Sequence, residues 1–215
     1  MNHVPEPAKE RLLYLLRLLE KNRDEGSGLV TSAMVEELTG WHRDTIRKDI
    51  SWLGNGGEAA GTPGGYNPQF LIPAIRKALG LDRVRRFCVV GLGRLGSAYL
   101  DRPFAPGPGG MEEFELAAGF DTNVNRVEIL KSSVPLYPAY KMGEVISRFG
   151  IEMALLCVPA AAARDAAGKL AAAGIRGIIN FAPAALALPP DIAVRNVYLA
   201  DELRALAVKL FPSGC

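Results

Sequence analysis

Apolar residues in PAKERLLYLLRLLEKN recur at helical spacing. Leu12, Leu15, Leu16 and Leu19 form one stripe, which predicts an amphipathic helix. Pro7 suits its first turn, and Gly26 and Gly28 mark its end. A short second helix follows in AMVEELTG, capped by Ser32, with Val35 and Leu38 inward, Glu36 and Glu37 near its start and Gly40 as its stop. After a short turn a third helix runs from about Arg43 to Leu53, with Ile46, Ile50 and Leu53 as its inner face. The pattern then breaks. GNGGEAAGTPGG, residues 54–65, holds six glycines in twelve positions and predicts a mobile loop, at the place where a winged helix carries its wing. Phe70 to Leu79 predicts a linking helix that ends at Gly80, and the basic run Arg83, Arg85 and Arg86 leads onward.

From Phe87 the periodicity changes to alternating strands and helices. FCVVG is a short apolar strand and GRLGSAYL opens a helix. FELAAGF, ALLCV and GIINF are further strands, with the alanine-rich helix PAAAARDAAGKLAAAG between the last two. AVRNVYL predicts the final strand and ADELRALAVKLF a closing amphipathic helix. Such alternation predicts a parallel sheet covered on both faces.

Composition narrows the classes. At 215 residues, 49% hydrophobic and 22% charged, the chain can bury an ordinary core. It has no run of eighteen apolar residues and no signal-peptide profile at its start, so a cytoplasmic location is expected, with no membrane partner. The net charge is only +2; residues 1–86 hold 13 basic and 11 acidic side chains, leaving 12 and 12 for the rest, so the excess lies at the N-terminal end but is too small to imply DNA binding. Three cysteines (Cys88 and Cys157 in buried strands, Cys215 at the end) make no disulfide framework, and with only His3 and His42 no metal site is expected.

The strongest chemical signal is Gly91-Leu92-Gly93-Arg94-Leu95-Gly96, which follows a strand and opens a helix, the context a dinucleotide fingerprint requires. Gly91 would permit the tight turn, Gly93 the approach of a pyrophosphate, and Gly96 close helix–strand packing. The helix start would give amide donors to the phosphates. Asp121 ends the next strand 25 residues beyond Gly96, with PGPGG at 106–110 as the insertion that lengthens the usual gap. Its carboxylate would accept from the adenosine ribose and repel a 2′-phosphate, favouring NAD over NADP, a preference that Arg126 nearby leaves provisional. The competing reading is a glycine turn that binds nothing or binds coenzyme A.

Two further patterns have rival readings. Arg43, Arg47 and Lys48 lie away from the apolar face of the third helix and could reach phosphates or base edges in a major groove. Any amphipathic helix also needs a charged outer face, and Asp44 and Asp49 lie among these cations. Tyr137 and Lys141 have the YxxxK spacing of short-chain dehydrogenases, but Pro135 and Pro138 spoil the helix that would present them. With no histidine in the second half, a hydroxy-acid dehydrogenase lacks an obvious base, and no catalytic residue is assigned.

Taken in order, VPEPAKERLLYLLRLLE, TIRKDISWLG, GYN, VVGLGRLGSA, GFD, ALLCVPAAAA and AGIRGIINFAP resemble the redox-sensing repressors of the Rex family over nearly the whole chain. The resemblance implies an α/β fold in three parts: a winged-helix DNA-binding domain (1–80), a Rossmann parallel-sheet domain for NADH/NAD+ (81–198), and a C-terminal dimer-exchange helix (199–215). It implies a homodimer that binds palindromic operator DNA and releases it when NADH binds, a sensor and not an enzyme. Cofactor contact is carried onto Gly91, Leu92, Gly93, Arg94, Leu95, Gly96 and Asp121, and onto Cys157-Val158-Pro159, where the family commonly has threonine first. It is carried also onto Asn180, Phe181 and Ala182, expected near the nicotinamide. For these apolar stretches plain strand packing is the rival. The DNA-facing set becomes Arg11, Ser32, Arg43, Thr45, Arg47, Lys48 and Ser51. On the closing helix Leu203, Leu206 and Leu210 would be covered by the partner chain.

Three departures qualify the likeness. The wing has no basic residue before its GGY. Arg102 stands where the family has a tyrosine, and Tyr198 where it has an aspartate. In the family those two residues form part of the switch, so any coupling here is expected to run through different contacts. A small NAD-dependent oxidoreductase and a cofactor-binding protein with weakened DNA binding are the alternatives.

Overall fold

A computed structural model describes residues 4–24, 28–100 and 113–211. Packing divides them into two compact units, one reaching Val84 and joined by Glu113, the other running from Arg85 onward.

The first unit is mostly helical. Helix α1 (Glu6–Asp24) buries all four leucines of its stripe. Helix α2 (Ser32–Thr39) is capped one residue earlier than expected: Thr31, in extended conformation, accepts the Met34 N–H at 3.1 Å, and Ser32 is the first helical residue. Gly40 stops it in the left-handed region. Val35 is buried, but Leu38 is 65% exposed, because the last turn of α2 runs out into solvent. Helix α3 (Arg43–Ser51) buries Ile46 and Ile50; it ends at Trp52, so Leu53 packs on the same core from outside the helix.

The glycine-rich segment is ordered, contrary to the expectation of a mobile loop. It forms helix α4 (Asn55–Ala60) and a hairpin of β1 (Gly61–Thr62) and β2 (Gly65–Tyr66). The physical reason is close packing. A Cβ on Gly57 would lie 2.4 Å from the Ile50 carbonyl oxygen, and one on Gly56 would lie 2.9 Å from the Ala74 Cβ. These glycines bring a short helix against its neighbours; they do not loosen the chain. Val30 bridges to Tyr66 and adds a third chain segment to the hairpin. Helix α5 (Pro68–Ala78), capped by Asn67, adds Leu71, Ile72 and Ile75 to the core, and Arg76 pairs with Glu20 of α1 at 2.7 Å.

The second unit is a parallel sheet with helices on both faces. Its elements are β3 (Arg85–Val90), α6 (Arg94–Ala98), β4 (Phe114–Asp121), α7 (Val124–Ile129), β5 (Leu136–Pro138), α8 (Met142–Phe149), β6 (Met153–Leu156), α9 (Ala160–Ala172), β7 (Gly177–Asn180), β8 (Ala193–Asn196) and α10 (Leu199–Leu210). The strand order is β5-β4-β3-β6-β7-β8, every pair parallel. This is the doubly wound order in which the direction of winding reverses between the first and fourth strands, here β3 and β6. Alternation along β3 sets the two faces: Cys88 and Val90 join α8 and α9 in one cluster, while Phe87 and Val89 join Leu92 and Leu100 in another.

Arg85 and Arg86 belong to β3 itself and pair with Glu152 and Glu115. Cys157 lies just past β6 and is half-buried, whereas Cys88 is fully buried. No described helix is long and apolar enough to cross a membrane.

Candidate functional site

The crevice lies at the carboxyl ends of β3 and β6, where the winding of the sheet reverses. The chain leaves β3 into Gly91 at φ +90°, and a Cβ there would lie 2.6 Å from the Cys157 carbonyl oxygen, so the two loops meet backbone to backbone. A Cβ on Gly96 would lie 1.8 Å from the Gly91 carbonyl oxygen. Gly93 is different: nothing stands within 4 Å of its would-be Cβ, and as the N-cap of α6 it makes no side-chain capping bond. Two glycines are therefore closed by protein, and the middle one faces open space. Leu92 is buried and Gly96 likewise, while the Arg94 and Leu95 side chains are exposed.

Asp121 ends β4 beside this turn and is only 5% exposed. Its Oδ2 accepts the Leu92 N–H at 2.7 Å and an Arg126 guanidinium N–H at 2.9 Å; its Oδ1 accepts the Asn123 N–H at 2.8 Å. Burial alone would raise its pKa, but these donors together outweigh burial and hold it below the ordinary value. The carboxylate is thus charged at neutral pH and fixed to the glycine turn. Around it is a cavity of about 500 Å³ whose lining includes Gly91, Gly93, Asp121, Arg126, Cys157, Val158 and Pro159. The Cys157 thiol is pushed up to about 11 by burial, so it stays protonated and acts here as an apolar wall.

Sequence reasoning missed the far wall of this cavity, which includes Ala139, Met142, Ala166 and Lys169. The signal was present: Met142, Val145, Ile146 and Phe149 have helical spacing and form α8. Tyr137 and Lys141 do not share a helix. Tyr137 lies in β5, its ring 6.0 Å from that of Phe120, and Lys141 ends a 3₁₀ turn (Ala139–Lys141).

The Asn180–Ala182 turn is held by its own side chain. Buried Asn180 donates to the Ala184 carbonyl and to the Asn196 side chain at 2.9 Å each, and accepts the Ala182 N–H at 3.0 Å. Asn180 and Ala182 are buried; Phe181 is half-buried, its ring 5.5 Å from that of Tyr99. Asn180 therefore shapes the turn, and its amide is already engaged within the protein.

The DNA-facing candidates separate into engaged and projecting cations. Arg11 makes two hydrogen bonds to Asp49, at 2.6 and 2.8 Å, reaching from α1 to α3. Asp49 is 4% exposed, so it belongs to the inner face of α3 and not among the outer charges. Arg43 pairs with Glu36 at 2.6 Å, and Arg47 makes a loose 3.5 Å contact with Asp44. Lys48 is exposed, Thr45 is half-buried, and the Ser51 hydroxyl donates back to the Lys48 carbonyl at 2.6 Å. Arg47 and Lys48 are thus the cations of α3 that project most freely. Of the switch candidates, Tyr198 precedes α10 and is exposed, and Arg102 lies outside the described residues, as do His3, Gly26, the 106–110 insertion and Cys215.

Comparison with known proteins gives one consistent result. The family model described as "CoA binding domain" matches residues 82–184, and "Putative DNA-binding protein N-terminus" matches residues 3–51. A protein of Thermus thermophilus named "Redox-sensing transcriptional repressor Rex" is 40% identical over 90% of this chain and 88% of its own length. A protein of the same name from Exiguobacterium is 32% identical over 94% of this chain and 90% of its own. Among solved structures, RSP, a Rex-family repressor, in complex with beta-NAD+ and operator DNA superposes with a TM-score of 0.83 at 29% identity, covering 97% of this chain and 93% of that one. RSP in complex with beta-NADH gives 0.81 at 27% identity, covering 97% and 94%. The order of elements, the crevice at the β3–β6 reversal and these similarities agree: the chain belongs to the Rex family of redox-sensing transcriptional repressors.

Proposed function

We propose that this protein is a cytoplasmic repressor that binds a palindromic operator as a homodimer and releases it when NADH occupies the crevice. The observation that carries the reading is the pairing, in one chain, of an open Gly93 beside the charged Asp121 with a helix, α3, that projects Arg47 and Lys48. Relatives solved with NAD+ and operator DNA, and with NADH, support both halves. The residues fit a dinucleotide. Gly93 leaves room for the pyrophosphate at uncapped amides of α6, Asp121 would take the ribose, and Val158 and Pro159 would wall the cofactor. The cofactor's redox state is the signal, and the chain's residues bind it without performing chemistry on it. Domain limits of 1–80, 81–198 and 199–215 suit this division of labour.

The homodimer rests on α10. Leu203 is 58% exposed, Leu206 and Leu210 are also exposed, and β8 at the sheet edge is exposed along its length. A leucine stripe of that kind needs a cover. Truncation after Tyr198 is expected to convert a dimer to monomer or aggregate in sedimentation; a dimer that survives the truncation would remove α10 from the interface.

The deciding experiment is a gel shift on operator fragments with and without saturating NADH. NADH acts only through its differential affinity for the two arrangements of the protein, and a coupling of about 1.4 kcal/mol gives about a tenfold weakening of operator binding. No NADH effect would refute the sensor reading. In the same assay Lys48→Ala is expected to lower the salt slope by about one, and Arg47→Ala to relax base preference. A second reading, weakened DNA binding, is favoured by one observation: the hairpin at 61–66 carries no cation. Operator affinity no tighter than that for random duplex would select it.

A further inference from the structure

We infer that Arg126 sets how this crevice discriminates between NADH and its 2′-phosphorylated form, working against Asp121. The inference rests on the reading of Asp121 as the ribose acceptor. A carboxylate offers about four acceptor positions, two on each oxygen. Three are taken: Oδ2 by the Leu92 N–H and the Arg126 guanidinium, Oδ1 by the Asn123 N–H. The two N–H bonds come from backbone fixed by the glycine turn and by the β4–α7 loop. A ribose diol presents two hydroxyls, and one acceptor position remains for them. The partner that can yield is Arg126. Its side chain is 42% exposed, and its own N–H is tied to the Asn123 side chain at 3.2 Å, so the backbone stays in place while the guanidinium moves.

Two consequences follow from charge. With NADH, Arg126 competes with the ribose for Oδ2. With a 2′-phosphate, the same guanidinium has a better anion to bind and neutralises the repulsion from Asp121. Lys169 also lines the cavity, but it is paired with Asp165 at 2.7 Å on α9. Arg126 is the cation bonded to Asp121, and it narrows a selectivity that the carboxylate alone would make wide.

The test is direct titration of NADH and NADPH, by cofactor fluorescence, on the full-length parent, Arg126→Gln and Arg126→Lys. Losing a charge-assisted bond to phosphate is expected to weaken NADPH about tenfold in Arg126→Gln, while release of Oδ2 strengthens NADH about threefold. Opposite movements of the two ligands are what general damage to the site would not produce. Arg126→Lys, which keeps the charge, is expected to retain the parent's affinity ratio within about threefold. The parent by itself gives an independent check, since its NADPH affinity should fall more steeply with added salt than its NADH affinity. Parallel losses of both ligands in Arg126→Gln, or equal salt dependence in the parent, would overturn the role of Arg126 and leave the NADH site standing. A parent that binds neither dinucleotide would overturn both.

Discussion

Gly96→Ala is expected to eliminate measurable NADH binding. The added methyl would sit 1.8 Å from the Gly91 carbonyl oxygen, far inside van der Waals contact, and that oxygen belongs to backbone. Gly91 cannot retreat, since its own would-be Cβ position is already 2.6 Å from the Cys157 carbonyl oxygen. The turn must therefore open, and with it the Leu92 N–H that holds Asp121 in place. Overpacking of this kind costs about 1–3 kcal/mol in stability. Displacing two phosphate or ribose contacts, each worth about 1.5–3 kcal/mol, lowers affinity more than about a hundredfold. The control is Gly93→Ala. With nothing within 4 Å of its methyl, that variant should melt like the parent and still bind NADH poorly, because the space it fills is the one the pyrophosphate requires. Fluorescence titration together with thermal melts separates the two. A Gly96→Ala protein that binds NADH as well as the parent does would show that the glycine turn does not form the site.

The second large effect is expected at Arg11. Its two hydrogen bonds to Asp49 join α1 to α3, and Asp49 has almost no access to water. Arg11 is partly exposed, but removing it strands the buried Asp49 carboxylate, at a cost toward the lower end of about 3–5 kcal/mol. For a unit of this size that corresponds to a fall in melting temperature of at least about 12 °C. Replacing both partners by apolar residues of similar volume, Arg11→Met with Asp49→Leu, should recover most of the loss.

The double variant also decides what Arg11 does. If Arg11 positions α3, the refolded double variant binds operator with an unchanged salt slope. If it meets a phosphate, the slope drops by about one. On the geometry, with the guanidinium already spent on Asp49, we expect the unchanged slope.

How much of this was legible depended on whether the determining contact was local. The leucine stripe of α1 is a periodic signal and FCVV in β3 a continuous apolar run, and the structure buries those residues. The glycine fingerprint was readable because a strand before it and a helix after it are themselves local patterns. The glycines at 56 and 57 misled for the converse reason: they are needed by Ile50 and Ala74, neighbours that only the fold supplies. Asp49 stands three positions after Ile46, on the inner face, so its burial could have been foreseen; its partner lies 38 residues away and could not. Pro135 and Pro138 concealed β5 and drew attention from α8, whose apolar spacing was plain. With α8 went Met142 of the far wall; Ala166 and Lys169 lie on the alanine-rich helix α9, which was legible as a helix but not as a wall of the cavity.

The uncovered leucines of α10 have a consequence for measurement and for the cell. If a second chain supplies their cover, the folded state is stabilised by mass action. Each tenfold rise in protein concentration then adds about 1.4 kcal/mol to the stability of the dimer relative to separated chains. Dosage would thus govern both how much repressor is present and what fraction of it survives as a DNA-competent pair. At low expression, dissociation would compete with NADH as a route off the operator, and the regulator's response would depend on its own abundance.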